Sequence, residues 1–402
     1  MPVSTQPLWQ SAPATPRSAL EGDVTADVAI VGGGIGGLAT AWHLADRGIH
    51  ATVIEARAVG SGASGRSGGF LIAGAAPMYN DARALFGDDL ARRIYAATLD
   101  AQRQVYDVAE EVGAAGSFRR VGLLRLAVDA EEADHVRDHH RALAEHGFPG
   151  RIVEESELPA PLARPGRAGL LTDHDASVHP VAWLRSLAAG LERRGASIFE
   201  GTTVTADLGE RVAAASSGRV RYGALVIAAD GGLGALVPEL AGRVWPRRLH
   251  MVATAPLETA HVARPVYARY GHEYHQQLPD GRIVLGGFSD LDGPDSYTDR
   301  DVASATVHAR LARYLVDELG VAASVTHRWT GIVGYTADRR PLAGAVPGHD
   351  RAFVMGGYCG TGNLTAWVAG RIVADLIATG SSLDADLFDA ARPPSRPTAA
   401  AT

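Results

Sequence analysis

Two apolar runs near the amino end flank a glycine-rich turn and a stretch with helical spacing. The first run covers residues 28–31 (VAIV), the glycines follow from position 32, and the second run covers residues 51–54 (ATVI). Short apolar runs bounded by turn residues are typical of buried strands. The order strand, glycine turn, helix, strand predicts a βαβ unit with parallel strands.

Further along the chain, helical and strand-like patterns continue to alternate. Further helices are predicted at residues 81–113, 130–147, from His179 and Pro180 to Gly195, and at 364–377. Further strands are predicted at residues 197–199, 224–229 and 352–355, the middle one a continuous apolar run of the buried parallel kind. Between positions 250 and 288 the pattern changes to alternation with turns, which predicts antiparallel sheet. The fold class is therefore α/β, with a Rossmann-type domain and an α+β second domain.

The glycine turn carries the fingerprint of a dinucleotide-binding site. Gly32 permits the tight turn, Gly34 lets the backbone approach a pyrophosphate, and Gly37 lets the helix pack closely on the strand. The helix amino terminus then presents free N–H groups to the phosphates. Glu55 closes the second strand, near the roughly 20-residue offset at which an acidic side chain meets a ribose 2′-hydroxyl. Because that carboxylate disfavours a 2′-phosphate, the sequence predicts a dinucleotide other than NADP.

Length and composition restrict the class of protein. A chain of 402 residues exceeds what one hydrophobic core usually serves, so two domains are expected. The net charge of −7 argues against a nucleic-acid partner. No apolar run reaches the roughly 18 residues of a membrane span, and residues 1–20 lack the apolar core of a secretory signal. The single cysteine, Cys359, excludes an intrachain disulfide and is consistent with a cytoplasmic location.

The chain contains no lysine, since all 38 residues counted as lysine or arginine are arginines. Schiff-base chemistry and oxygen activation by a lysine ammonium group are therefore excluded.

Glycine-rich signals of the nucleotide-binding type occur at three separated places, with β-rich sequence between them. This spacing predicts a cofactor domain assembled from discontinuous segments. We assign residues 24–78, 166–245 and 327–382 to the cofactor domain. We assign 79–165 and 246–326 to the substrate domain, and 1–22 and 391–402 to flexible tails.

A series of short motifs in fixed order covers nearly the whole chain. They are 26–28 (ADV), 62–69 (GASGRSGG), 175–180 (DASVHP), 226–231 (VIAADG), 279–282 (PDGR) before Gly286 and Gly287, 329–331 (WTG) and 357–363 (GYCGTGN). In this order they resemble the D-amino-acid oxidase and glycine oxidase superfamily of FAD enzymes, in particular its γ-glutamylputrescine oxidase-like branch. The resemblance implies a Rossmann-type FAD-binding domain and an antiparallel-sheet substrate domain.

The resemblance also implies where FAD binds. The first fingerprint would hold ADP, Val204 would contact adenine, and the loops at Arg66 and Gly360 would flank the isoalloxazine ring. The expected FAD-binding residues are Gly32, Gly34, Ile35, Gly36, Gly37, Glu55, Ala56, Arg57, Gly62, Ala63, Ser64, Gly65, Arg66, Ser67, Gly68, Val204, Ala229, Gly331, Gly357, Gly360, Thr361, Gly362 and Asn363. Arg66 is the cation expected nearest the flavin or pyrophosphate, the alternative being an arginine that braces its loop. The flavin is expected to be non-covalent, since no histidine occurs between His50 and His135 to carry a linkage. No metal site is expected.

Three departures from the family pattern bear on the substrate. Members that oxidise amino acids hold the carboxylate with a cation, but Val333 stands where glycine oxidase-like members have an arginine. Leu364 replaces a lysine of sarcosine oxidase-like members, and Gln276 replaces an arginine before the PDGR turn. An amine without that carboxylate is therefore favoured over a free α-amino acid, unless another arginine serves.

The expected reaction is oxidation of the C–N bond of a primary, secondary or N-methyl amine to an imine. A hydride would pass to flavin N5, with O2 as the expected acceptor. Tyr335, Tyr274 and His275 are the candidate catalytic residues, each with a structural role in the core as the alternative. An amine or amino-acid dehydrogenase with another electron acceptor, an FAD monooxygenase and a non-catalytic flavoprotein are the rival interpretations. The oligomeric state stays open.

Overall fold

The computed structural model of the protein describes residues 3–208, 210–349 and 351–394. Its α-helices in these ranges are α1 (Ile35–Ala45), α2 (Tyr79–Phe86), α3 (Asp88–Glu111), α4 (Ala130–Glu145), α5 (Pro180–Arg193), α6 (Leu233–Leu236), α7 (Ala305–Asp317) and α8 (Gly362–Thr379). The strands are β1 (Gly22–Val31), β2 (Ala51–Ile54), β3 (Phe70–Leu71), β4 (Phe118–Arg119), β5 (Leu123–Leu126), β6 (Arg151–Glu154), β7 (Ala168–Thr172), β8 (Ala176–Val178), β9 (Ser197–Phe199), β10 (Thr205–Asp207), β11 (Val212–Ala215), β12 (Gly218–Ile227), β13 (Trp245–Thr254), β14 (Val266–Ala268), β15 (Glu273–Gln277), β16 (Ile283–Gly287), β17 (Val325–Tyr335), β18 (Leu342–Ala345) and β19 (Ala352–Gly356).

The first sheet has a parallel centre, as the apolar runs predict. Strand β1 pairs in parallel with β2 on one side and with β12 on the other, and β19 extends β12 in parallel. Helices α1, α5 and α8 bury their apolar residues against one face of this sheet. The helices α1 and α8 approach so closely that a Cβ atom at Gly370 would lie 2.8 Å from Thr40 N. The Rossmann-type fold expected from the sequence is confirmed.

The second sheet is mainly antiparallel and runs in the order β17-β13-β16-β15-β14-β5-β7-β6. Its four central strands, β13 to β16, confirm the antiparallel pairing predicted for positions 250–288. Helix α7 packs on one face through Val307, Leu311 and Leu315. The opposite face is turned toward the first sheet, and the space between them is where the chemistry-bearing residues meet.

Two domain boundaries differ from those expected. Strand β7 lies in the predicted cofactor segment 166–245, yet it pairs with β5 and β6 of the second sheet. Strand β17 begins the predicted cofactor segment 327–382, yet it pairs with β13 along almost its whole length. Strands β5 and β13 lie far from β7 and β17 in the sequence, so the local patterns of β7 and β17 do not indicate which sheet each strand joins.

The amino-terminal segment is packed, in contrast to the flexible tail expected for residues 1–22. Trp9 is fully buried beside Met251 and Trp329, and its indole Nε1 donates a hydrogen bond to Ser67 O at 2.8 Å. The backbone N–H of Ser4 donates to Thr326 O at 2.9 Å. The segment therefore bridges both parts of the protein, with the large side chain of Trp9 buried between them.

The carboxyl-terminal boundary is also later than expected. Arg392 is buried and donates through Nε and Nη2 to the two carboxylate oxygens of Asp338 at 2.8 and 2.9 Å. Of the predicted tail 391–402, residues 395–402 lie outside the described residues, as do residues 1 and 2 of the amino-terminal tail.

The predicted helix at 81–113 is two helices. Gly87, with φ +84°, separates α2 from α3, because this left-handed backbone cannot continue a helix. Within the described ranges, no helix combines the length and apolar character needed to cross a bilayer.

Candidate active site

A cavity of about 450 Å³ lies between the two sheets. One end is formed by the β1–α1 turn, the end of β2 and the loop at residues 62–68. The other end is formed by strands β13, β14, β15 and β17 of the second sheet and by the turn before α8. The cavity therefore brings together all three glycine-rich segments that the sequence separates.

Most of the residues expected to bind the cofactor line this cavity. They are Gly32, Gly34, Ile35, Gly36, Glu55, Ala56, Arg57, Gly62, Ala63, Ser64, Arg66, Ser67, Gly68, Val204, Ala229, Gly331, Gly360, Thr361, Gly362 and Asn363. Three expected residues, Gly37, Gly65 and Gly357, do not line the cavity. At each of them, the space that a side chain would need is occupied by other atoms of the protein. A Cβ atom would lie 2.0 Å from Gly32 O at Gly37, 1.8 Å from Gly60 O at Gly65, and 2.6 Å from Thr336 Cγ2 at Gly357. These glycines permit close packing behind the cavity, the role that the fingerprint gave to Gly37.

Glu55 organises the turn between β1 and α1. Its Oε2 accepts a hydrogen bond from Gly33 N at 2.7 Å, and its Oε1 accepts one from Arg57 N at 3.0 Å. Each carboxylate oxygen has two lone pairs, so acceptor capacity remains for hydroxyl groups entering the cavity. The turn is thereby fixed with a carboxylate facing the cavity, as a ribose site requires.

Two helix amino termini point unpartnered donors at the cavity. Within the described part of the chain, the backbone N–H groups of Gly34 and Gly36 at α1 have no hydrogen-bond acceptor. The same is true of Gly362 and Asn363 at the start of α8. Helix amino termini attract negative charge through these N–H groups and the helix dipole. The donor set therefore fits a pyrophosphate at α1 and an electron-rich ring edge at α8.

Asp230 joins three segments behind the cavity. Its Oδ2 accepts from Gly334 N of β17 at 2.9 Å, and its Oδ1 accepts from Gly357 N after β19 at 2.9 Å. Burial raises the pKa of this carboxyl group above its ordinary value. The resulting junction sets the position of β17 relative to the turn before α8.

Arg66 braces its loop against β17. Its Nε donates to Ser61 O at 3.0 Å, and its Nη1 donates to Thr330 O at 2.8 Å and to Asp301 Oδ2 at 2.7 Å. The side chain lines the cavity, but these contacts correspond to the bracing alternative. Asn363 acts similarly, since its Nδ2 donates to Phe70 O at 2.7 Å.

Strand alternation determines which residues of the second sheet face the cavity. On β13 the residues Arg247, Leu249 and Met251 line it. On β17 the corresponding residues are Gly331, Val333 and Tyr335. The register sets Arg247 directly opposite Val333, so their side chains are neighbours on one face.

An aromatic wall completes the cavity at this end. The rings of Phe70, Tyr267 and Tyr274 lie with centroids 5.8 to 6.3 Å apart. Burial raises the pKa of Tyr274 and of Tyr335 above the ordinary phenol value. Both phenols are therefore protonated at neutral pH and can donate a hydrogen bond into the cavity.

The thiol of Cys359 also stays protonated. Burial raises its pKa to about 11, and the Sγ donates to Gly357 O at 3.3 Å. This thiol lines the cavity as a neutral packing group.

The structure places His275 outside the cavity, away from the other two residues expected to be catalytic. Strand alternation turns His275 to the face opposite Tyr274, where its ring lies 5.8 Å from that of Tyr314. Burial lowers the pKa of this imidazole to about 3. The residue is a neutral core histidine outside the cavity.

Sequence reasoning missed several residues of the cavity. Arg247 and Arg339 line it, as do Phe70 and Tyr267 of the aromatic wall. The alternation of polar and apolar residues at positions 248–251 could have suggested a strand, whose two-residue period places Arg247 on the same face as Leu249 and Met251.

This fold and donor set define a dinucleotide-binding enzyme with an adjoining aromatic pocket. A family model described as FAD dependent oxidoreductase (DAO) matches residues 27–376. The chain is 30% identical to a probable oxidoreductase OrdL of Rhizobium meliloti, with 98% of this chain and 94% of that protein covered. It is 26% identical to gamma-glutamylputrescine oxidoreductase of Escherichia coli, with 93% and 88% covered. Glycine oxidase from Geobacillus kaustophilus superposes with a TM-score of 0.76 at 24% identity, covering 92% of this chain and 100% of that one.

The protein therefore belongs to the DAO family of FAD-dependent oxidoreductases. The resemblance noted from the sequence motifs is confirmed, and FAD is the cofactor of this family. The donor set and the size of the cavity fit that cofactor. The donors of the α1 turn, the Glu55 carboxylate and the donors of the α8 turn are the groups that would hold it.

Proposed function

We propose that this protein oxidises the C–N bond of an amine to an imine, with O2 as the electron acceptor. The supporting observation is the juxtaposition, in one cavity, of the donors at α1 and α8 with the aromatic wall of the second sheet. The relatives named gamma-glutamylputrescine oxidoreductase and glycine oxidase support an amine or amino acid as the substrate class. FAD, when bound non-covalently, supplies the acceptor for the hydride.

The contribution of the chain is binding, orientation and exclusion of water. Phe70, Tyr267 and Tyr274 offer apolar faces on which the carbon skeleton of an amine can pack. The protonated phenol of Tyr335 can donate to the nitrogen lone pair or to a polar group of the substrate. An enclosed apolar surface of this kind favours the neutral form of an amine, which is the form that can be oxidised.

Anaerobic titration of the FAD-loaded protein tests this proposal. A panel of primary, secondary and N-methyl amines is added, and bleaching of the yellow flavin absorbance is followed. At least one amine is expected to bleach it and to yield ammonia or a smaller amine together with a carbonyl product. A flavin that no amine or amino acid reduces would contradict the proposal.

The acceptor is tested separately. Hydrogen peroxide formed in air is compared with reduction of an artificial dye under argon. Peroxide at a rate matching amine consumption is expected, whereas dye reduction without peroxide would identify a dehydrogenase.

Tyr274 offers a matched pair of variants for the aromatic wall. Tyr274→Phe keeps the ring and is expected to retain amine-dependent bleaching, whereas Tyr274→Ala removes the ring and is expected to raise KM. Equal kinetics of the two variants would show that the ring does not contact the substrate.

A further inference from the structure

Arg247 is set apart from neighbouring arginines by its surroundings. It faces the cavity from β13, while the adjacent Arg248 points to the opposite side of the sheet. Arg248 forms an ion pair with Asp292, with Nη2 and Oδ2 3.0 Å apart. Arg247 has no carboxylate partner within the described part of the chain; its Nε donates only to the neutral Ser296 Oγ, at 3.2 Å.

Two aromatic rings hold the Arg247 guanidinium in place. Its Cζ lies 5.2 Å from the ring centroid of Tyr297 and 5.4 Å from that of Tyr335. Cation–π contacts of this kind orient an arginine without neutralising its charge. The guanidinium is therefore held beside Tyr335, one of the residues that line the cavity.

No acidic side chain among the described residues of the cavity pairs with this charge. The carboxylates among the described lining residues are those of Glu55 and Asp230. Both accept hydrogen bonds from backbone N–H groups of the cofactor turns. A positive charge in an enclosed site is costly unless an anion or hydrogen-bond acceptors complete its shell.

We propose that Arg247 binds a carboxylate group of the amine substrate, so that the substrate class is amines bearing a carboxylate. This inference rests on the proposed function, since it concerns the same cavity. It revises the preference for an amine without a carboxylate, because the cation missing at Val333 is supplied from the directly opposed position on β13. An arginine matches a carboxylate with two parallel N–H donors, which gives orientation as well as affinity.

Substrate pairs that differ only by the carboxylate test the inference. The pairs are glycine and methylamine, N-methylglycine and dimethylamine, 4-aminobutanoate and propylamine, and phenylalanine and 2-phenylethylamine. The carboxylated member of at least one pair is expected to have the higher kcat/KM, by about tenfold or more for a charge-assisted contact. In Arg247→Gln this preference should disappear mainly through KM, and Arg247→Lys should retain part of it.

A double variant tests whether the guanidinium can act from the opposed strand position as well as from position 247. Arg247→Val combined with Val333→Arg moves the guanidinium to the opposed position and should restore part of the preference lost in Arg247→Val alone. Arg103→Gln, which removes an exposed arginine on α3, is the matched control and should leave the preference unchanged. Equal kcat/KM values for both members of every pair in the unaltered enzyme, or a preference that survives Arg247→Gln, would overturn the inference.

A binding measurement keeps the test independent of turnover. Calorimetry of the FAD-loaded protein with phenylacetate and with 2-phenylethanol is expected to show tighter binding of the carboxylate, and Arg247→Gln should abolish the difference. If no amine reduces the flavin but phenylacetate binding depends on Arg247, the proposed function fails and the anion site stands. If amines reduce the flavin and phenylacetate binds no better than the alcohol, the anion site fails and the proposed function stands.

Discussion

Replacement of Asp230 should separate the two halves of the cofactor site. The partly buried Asp230 carboxylate accepts hydrogen bonds from Gly334 N on β17 and from Gly357 N before α8, both at 2.9 Å. A longer hydrogen bond, at 3.5 Å, comes from Tyr358 N. Among the described residues no other side chain joins these two N–H groups, so the variants Asp230→Asn and Asp230→Ala remove defined parts of one junction. We expect both to loosen the turn at α8 and to weaken FAD binding.

The magnitude follows from the number of donors left unpaired. A buried donor without an acceptor costs about 1–3 kcal/mol, so Asp230→Ala, which leaves the two close donors Gly334 N and Gly357 N unpaired, should lose about 2–6 kcal/mol. Asp230→Asn keeps one acceptor oxygen and should lose about 1–3 kcal/mol. The backbone at this position has φ +46°, where asparagine is tolerated but alanine adds about 1 kcal/mol of strain.

Urea denaturation with two parallel observables measures this effect. Flavin fluorescence reports release of FAD, and far-ultraviolet circular dichroism reports loss of the fold. The expected order of stability is unaltered protein, Asp230→Asn, then Asp230→Ala, with flavin release shifted more than the loss of helix. If Asp230→Ala unfolds and releases FAD at the urea concentration of the unaltered protein, the carboxylate does not hold the junction.

Three further predictions concern other parts of the structure. Trp9→Ala should lower the free energy of unfolding by about 3–5 kcal/mol, measured by urea denaturation, since it empties a buried site; a loss near zero would mean that the segment is not packed. Gly37→Ala should yield protein with little bound FAD, measured by absorbance after gel filtration, because the new Cβ would lie 2.0 Å from Gly32 O; full FAD content would contradict this. Burial lowers the pKa of His275 to about 3, so this imidazole stays neutral in the folded protein. In the unfolded chain it takes up a proton below about pH 6.5, so the free energy of unfolding decreases as the pH falls from about 6.5 toward about 3. His275→Leu should flatten this acid limb and leave amine-dependent flavin bleaching unchanged; a lost reaction would restore a catalytic role.

The sequence predicts the parts of the fold whose partners are close in the chain. Strands β1 and β2 are joined by a single helix, so the order of patterns is enough to pair them, as observed. The glycines of the turn between them could be predicted for the same reason, because their roles depend only on the geometry of this one strand–helix–strand connection. Glu55 could be placed for the same reason.

Side-chain direction in the second sheet is less accessible to the sequence. The two-residue period of a strand predicts that Tyr274 and His275 point to opposite faces of the sheet. Which of these faces lines the cavity depends on the pairing of β15 with β14 and β16. Arg247 was missed because its lack of an acidic partner, within the part of the chain that the structure describes, is a property of the assembled sheet. The burial of Trp9 likewise depends on elements far away in the chain.

Strand β17 connects the cofactor loops to the substrate pocket. Its Gly334 N–H donates to Asp230, and its Thr330 carbonyl accepts from Arg66, so two loops that line the cavity fix its position. The same strand directs Val333 and Tyr335 into the cavity. The neighbouring strand β13, which carries Arg247, makes neither of these two hydrogen bonds, to Asp230 or to Arg66. Substrate preference can therefore change at β13 with little effect on FAD, whereas a substitution that shifts β17 must alter both the flavin environment and the pocket.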